Sequence, residues 1–178
     1  MSDLLINPFL FGSDYFALLD SFGVNHYWRL DDVSGNPVDG PGTNDCTVTG
    51  TPDYRQTGPG SGGTPYAMGF DGSSEYLTAS GLTIASGVTM GALFRQTTLV
   101  VDKCVIGDWS SPSGGMLYIT TAGLVQQFFN GSIGNIGTAA AATWHLGVVS
   151  YDVAGNSWRW KGYLDSGTPG NNQTAAGA

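Results

Sequence analysis

Charge is scarce in this chain. Only 11% of its 178 residues are Asp, Glu, Lys or Arg, against roughly 25% in an average domain. Glutamate is nearly missing: Glu75 is the single example. That weighs heavily against glycoside hydrolysis, where a retaining enzyme holds two carboxyl groups about 5–5.5 Å apart. No Glu-x-Asp-x-Glu run exists, and the adjacent Asp31 and Asp32 would face opposite ways on a strand. Bases number six, and of Arg29, Arg55, Arg95, Lys103, Arg159 and Lys161 only the last two are close in sequence. The clustered basic footprint of a nucleic-acid-binding protein is therefore absent. His26 and His145 each lie close to a tryptophan in strand-like sequence and join no His/Cys cluster with metal-ligand spacing. Cys46 and Cys104 allow one disulfide at most and read as small buried thiols. No apolar run approaches the ~20 residues that span a bilayer. The apolar start has no basic region and is interrupted by Asn7 and Pro8, so it does not read as a signal peptide. These absences argue against an enzyme, a nucleic-acid partner and a membrane-spanning helix.

What the chain does have is 28 glycines, 41% apolar residues and a net charge of −8. It is long enough to bury one β-domain core, under a surface made mostly of Ser, Thr, Asn, Gln, Gly and backbone. Residues 1–12 read as an extended arm, with Leu4, Leu5, Ile6, Phe9, Leu10 and Phe11 too apolar to hang in water. Residues 13–23 read as a short lead-in helix. Ser13 would cap its start, Tyr15, Leu18, Leu19 and Phe22 would form its apolar stripe, and Gly23 would stop it. A first strand over 24–30 follows, and then a stretch dense in turn signals with a short strand at Cys46-Thr47-Val48-Thr49 between them. From Tyr66 the rhythm is short strands and turns: 67–70, 75–78, 88–94, 104–106, 116–120, 124–129, 144–151 and 158–161. In the last of these, Trp158 and Trp160 share one face while Arg159 and Lys161 share the other. Ala139 to Ala142 is too short for a helix of its own and reads as loop. Residues 168–178 read as a linker or tail. Many short strands with regular turns predict an all-β sandwich or jelly roll over 24–167.

Four stretches carry a resemblance: His26-Tyr27-Trp28-Arg29-Leu30-Asp31-Asp32 with Ser34-Gly35; Phe70-Asp71-Gly72-Ser73-Ser74-Glu75-Tyr76-Leu77; 88–95; and Thr143-Trp144-His145-Leu146 through Tyr151-Asp152 to Lys161-Gly162. Together they resemble the concanavalin A-like lectin/glucanase superfamily in its laminin G-like form, over roughly residues 14–167. The resemblance implies a jelly-roll sandwich. It says little about activity, because such folds host lectins, enzymes, adhesion modules and structural units. The family continues past its final hairpin with further strands that are not legible here, and an open edge invites pairing. Three readings follow: the sequence is part of a longer polypeptide, the sandwich is smaller, or a neighbouring subunit supplies the strands. The arm either packs on the domain or docks on a partner. The favoured expectation is an assembly, a homo-oligomer or a complex with other virion subunits, with the arm docked. Laminin G-like domains with a helical lead-in are similar to those of minor tail and other structural proteins of bacteriophages. A signal-free chain with an extracellular-looking composition fits a virion released by lysis.

Two ligand classes stay open. Glycan binding needs exposed aromatic platforms. Trp109, with Asp108 in the loop Gly107-Asp108-Trp109-Ser110-Ser111, is the leading candidate, with Tyr118 and Phe129 in the same region. Trp28, Trp144, Trp158 and Trp160 read instead as core. Calcium is the one cofactor the resemblance leaves open. Asp71, Asp32 and Asp108 lie near turns where carbonyls are free, and each is set against the commoner reading that an Asp in a turn bonds its own backbone.

Overall fold

The computed structural model describes residues 21–59, 66–82, 87–98, 102–107, 115–129, 132–154, 157–165 and 171–176. The arm and residues 13–20 of the expected helix lie outside the described residues. Of residues 13–23 only the end is described, where Gly23 takes the left-handed backbone (φ 66) of a chain stop. The described protein is all-β and divides into two compact units, one of residues 6–83 and one built on residues 84–178. None of its helices is long and apolar enough to cross a membrane.

Unit 6–83 holds four short strands: β1 (Thr47–Thr49), β2 (Asp53–Thr57), β3 (Tyr66–Gly69) and β4 (Tyr76–Thr78). β1 pairs with β4 and β2 with β3, both antiparallel. A register shift between Asp53 and Gln56 coincides with Arg55 at φ 64. The strand expected over 24–30 does not form. Only Trp28 makes a bridge, to Asp39, and Leu30 at φ 56 leaves the extended region. Among the described residues of this unit, Cys46 and Met68 are buried, while Val33, Val38 and Tyr76 stand in solvent.

Unit 84–178 contains two four-stranded antiparallel sheets. One runs in the order β12 (Asn171–Ala176), β11 (Ser157–Leu164), β10 (Trp144–Ala154), β5 (Val88–Arg95). The other runs β6 (Lys103–Gly107), β7 (Gly115–Ile119), β8 (Leu124–Phe129), β9 (Ser132–Thr138). β9 and β12 are strands the sequence did not announce, and residues 171–176 pair with β11 where a linker or tail was expected. The sheets face each other across one core. Alternation sets its members: Val149 and Tyr151 from β10 and Trp160 from β11 meet Leu117, Ile119, Val125, Phe129 and Ile136 from the facing sheet. Arg159 and Lys161 point outward as their spacing required.

One core residue breaks the apolar rule. Gln127 is fully buried, and neither its amide oxygen nor its nitrogen has a hydrogen-bond partner among the described residues. An unmet buried amide costs about 1–3 kcal/mol. Gln127→Met, similar in length and apolar, is expected to raise stability by that amount and the melting temperature by several degrees. A lower melting temperature by calorimetry would show instead that a bound water satisfies the amide.

Candidate functional site

The outward face of the β6–β9 sheet carries a row of polar, uncharged side chains. Leu117, Val125 and Gln127 are buried on its inner side, so their neighbours point out. Cys104 pairs with Tyr118, Tyr118 with Gln126, and Gln126 with Asn135. Four side chains thus form one row across four strands. Gln126 Nε2 donates to Asn135 Oδ1. That bond leaves the Gln126 carbonyl as an acceptor and the Asn135 amide nitrogen as a donor for an incoming molecule. Burial, and then the nearby Asp102 charge, raise the Tyr118 phenol, so it stays protonated and can donate. A second row across the strands is apolar: buried Met116, half-buried Phe128 and Ile133, which is 51% exposed. The row carries no formal charge.

Tyr118 is thus placed on an open sheet face. Phe129 is not, and the expectation that it shares a ligand surface with Tyr118 is corrected. Its partner in the ladder is Gly115, on the core side. The ring is 1% exposed, 4.7 Å from that of Tyr151 and 6.0 Å from that of Trp160. Period-two counting from Tyr118 through Gln126 selects Phe128 as its face-mate, a signal present in the sequence. Asn135 was missed because β9 (Ser-Ile-Gly-Asn-Ile-Gly-Thr) is rich in residues that disfavour strands, and Gln126, on the expected strand 124–129, was missed with its partner. Asp108 and Trp109 lie outside the described residues, in the segment joining β6 to β7. Of the tryptophans expected in the core, Trp160 is buried, while Trp28 and Trp144 are half-buried. Arg95 lies over the Trp144 ring at 5.6 Å. The Trp158 side chain is outside the description.

Two His–Asp pairs and Asp71 are engaged with the backbone. In unit 6–83, the Asp39 side chain is fully buried and sits 2.7 Å from His26 Nδ1. An ionised carboxylate only accepts, so Nδ1 carries the proton. Asp39 also accepts from the backbone N–H groups of Tyr27 (3.3 Å) and Asn44 (3.2 Å). Its own N–H donates to Asp45, and Trp28 Nε1 donates to the Asn44 carbonyl. Burial alone would raise the Asp39 carboxyl. The His26 hydrogen bond and the two backbone donors outweigh it, and the net shift is downward. The loop closes so tightly that a Cβ on Gly42 would fall 2.1 Å from Asp39 Oδ2, and one on Gly40 would fall 2.2 Å from the Tyr27 ring.

A second His–Asp pair ties together one corner of unit 84–178. His145 Nδ1 lies 2.6 Å from Asp165 Oδ2, and the Ala140 N–H donates to Nε2 at 3.0 Å. Asp165 also accepts from the Leu146 N–H and returns its own N–H to the Leu146 carbonyl. With both ring nitrogens occupied, His145 is a strut between β10 and the turn after β9. Cys46 is buried, and burial followed by the charges of Asp39 and Asp45 pushes its thiol up to about 11, leaving no thiolate near neutrality. Cys104 is exposed, against the expectation of two buried thiols.

Of the calcium candidates, Asp71 caps its own turn. Its carboxylate accepts from the N–H groups of Ser73, Ser74 and Glu75 and from the hydroxyls of Ser73 and Ser74, and Glu75 reaches back to the Asp71 N–H. These donors, led by the Ser73 N–H, hold its carboxyl far below the usual carboxylate range. Asp32 is half-buried in the irregular stretch after Trp28. Among the described residues no group of three His, Cys, Asp or Glu side chains could hold a metal ion. The chain matches no protein-family model, no curated protein and no solved structure.

Proposed function

We propose that the chain is a non-enzymatic structural and adhesion module of a phage virion, folded as a concanavalin A-like jelly roll, whose β6–β9 face contacts glycans of the host surface. The observation that carries the glycan contact is the uncharged row Tyr118–Gln126–Asn135 beside the exposed Ile133. Hydroxyl and amide groups read the hydroxyls of a sugar, and aromatic and aliphatic side chains meet its C–H face. The engagement of His26, Asp39, His145, Asp165 and Asp71 with the backbone supports a module that binds without catalysing. The apolar arm, Leu4 to Phe11, docks on neighbouring virion subunits in this reading.

Binding of the full chain to a glycan array tests the site. Tyr118→Ala and Asn135→Ala are each expected to weaken the best hit at least tenfold, about 1.4 kcal/mol, with unchanged circular dichroism. Trp109→Ala is expected to do the same if the β6–β7 segment contributes to this surface. An array with no hit, or Tyr118 and Asn135 variants that bind as well as the parent, would sink the glycan contact. The same sheet face serves equally well in a lectin-like module, free or appended to a larger secreted protein. A glycan-binding chain that stays monomeric at every concentration would select that second reading.

A further inference from the structure

The charge of this chain is unevenly placed. Residues 1–83 carry ten of the fourteen acids and two of the six bases, so the whole net charge of −8 falls there. Residues 84–178 balance, with four acids and four bases. Within that balanced half the charges separate again. The outward face of the β5–β10–β11–β12 sheet carries Arg95, Arg159 and Lys161 against a single acid, Asp152. Lys161 stands in a ladder row with Ser150 and Thr89, whose hydroxyls bond each other at 3.0 Å, and with Asn172. Asp152 lies opposite Arg159. Arg159 and Lys161 are exposed, and neither has an ion pair among the described residues.

We propose that this face is the contact surface for a second copy of the chain, which presents the exposed carboxylates of its unit 6–83, Asp45, Asp53 and Asp71, to Arg159 and Lys161. The complement is present in every copy in equal amount, with exposed carboxylates such as Asp53. A basic face on an acidic one is a head-to-tail contact, which repeats until it closes as a ring or extends as a filament. Exposed ion pairs contribute little each, so charge here selects orientation and partner more than it supplies strength. The contact is accordingly salt-sensitive. This rests on the assembly reading above and names the surface that would carry it.

Two measurements test it on the full chain. The first is mass by light scattering in low salt and in 1 M salt, where the screening length is about 3 Å. The parent is expected to be a multimer in low salt whose mass falls at least twofold in high salt. Arg159→Glu/Lys161→Glu is expected to reproduce the lower mass in low salt, with circular dichroism reporting its fold. Should that variant misfold, Arg159→Gln/Lys161→Gln gives the same readout. The second measurement is zero-length carbodiimide coupling of an equal mixture of isotope-labelled and unlabelled copies. Mixed-isotope crosslinks from Lys161 to carboxylates of residues 1–83 are expected. A multimer indifferent to salt and to both double variants overturns this contact and leaves the assembly reading standing. A monomer under all conditions overturns both. Crosslinks confined to same-isotope pairs place the ion pairs within one chain and overturn the proposal.

Discussion

Gly162→Ala is expected to cost about 3 kcal/mol or more, the upper end of what overpacking does, although alanine is ordinarily the better residue in a strand. On backbone grounds the exchange should help by about 0.5–1 kcal/mol, because glycine loses more freedom on folding. Gly162 lies in extended β11, with no left-handed backbone to protect. Space decides the sign. A Cβ there would fall 2.1 Å from Ile136 Cγ2, 3.0 Å from Ile136 Cβ and 2.9 Å from Gln127 Oε1. Ile136 is branched at Cβ and Cγ2 is fixed to it, so it cannot swing away as a flexible chain end would. Nor can the sheets part without loosening Trp160, Phe129 and Tyr151, whose rings touch in the same layer. The check is urea denaturation of the single variants and of Gly162→Ala/Ile136→Ala. Truncating Ile136 alone opens a cavity and costs about 2–5 kcal/mol. In the double variant the new methyl occupies part of that cavity, so the two losses should fall well short of adding. Strict additivity would mean that Gly162 is needed for some reason other than its contact with Ile136.

The same layer shows what sequence could and could not announce. Short runs rich in Val, Ile, Leu and aromatics between turn signals identified β5, β7, β8, β10 and β11, and alternation was clear in β11. It also placed Arg159 and Lys161 on the outer face correctly. β9 escaped because its inward positions are Gly134 and Ile136 and its outward ones Ile133 and Asn135, so polarity does not alternate with direction. β12 escaped because Asn171–Ala176 holds no large apolar or β-branched residue except Thr174, and only the register of β11 gives it a place. The expected first strand failed for the opposite reason. Residues 24–30 have strand-forming composition, yet one backbone turn at Leu30 and the Asp39 contacts hold them in a loop. Phe129 was misassigned by proximity to Tyr118 in an imagined region, where parity would have put it in the core. The amide row of the candidate site depends on that unannounced β9, so only Tyr118 of it was legible.

Asp39→Ala is expected to be the most damaging change in unit 6–83, at roughly 3–5 kcal/mol, the range for removing one member of a buried charged pair. The change strands the His26 Nδ1–H and the N–H groups of Tyr27 and Asn44, which all point at the missing carboxylate. It also frees the loop that positions Trp28 through the Asn44 carbonyl. Hydrogen exchange reads this locally: protection at the Tyr27 and Asn44 amides should collapse while that of β7 and β10 stays intact. Acid should produce a milder form of the same failure. The Asp39 carboxyl is held below its ordinary value in the folded protein, so near and below pH ~4 the unfolded chain binds more protons and stability rises with pH. The carboxylate's contribution is thus complete above about pH 5 and is lost as pH falls through the lowered value. Asp71 titrates in the same direction but is present in both proteins, so it cancels in the comparison. The stability gap between parent and Asp39→Ala should therefore be widest near neutrality and narrow steadily below pH ~4. A gap constant down to pH 2 would show that the Asp39 side chain holds the loop by packing and not through its charge.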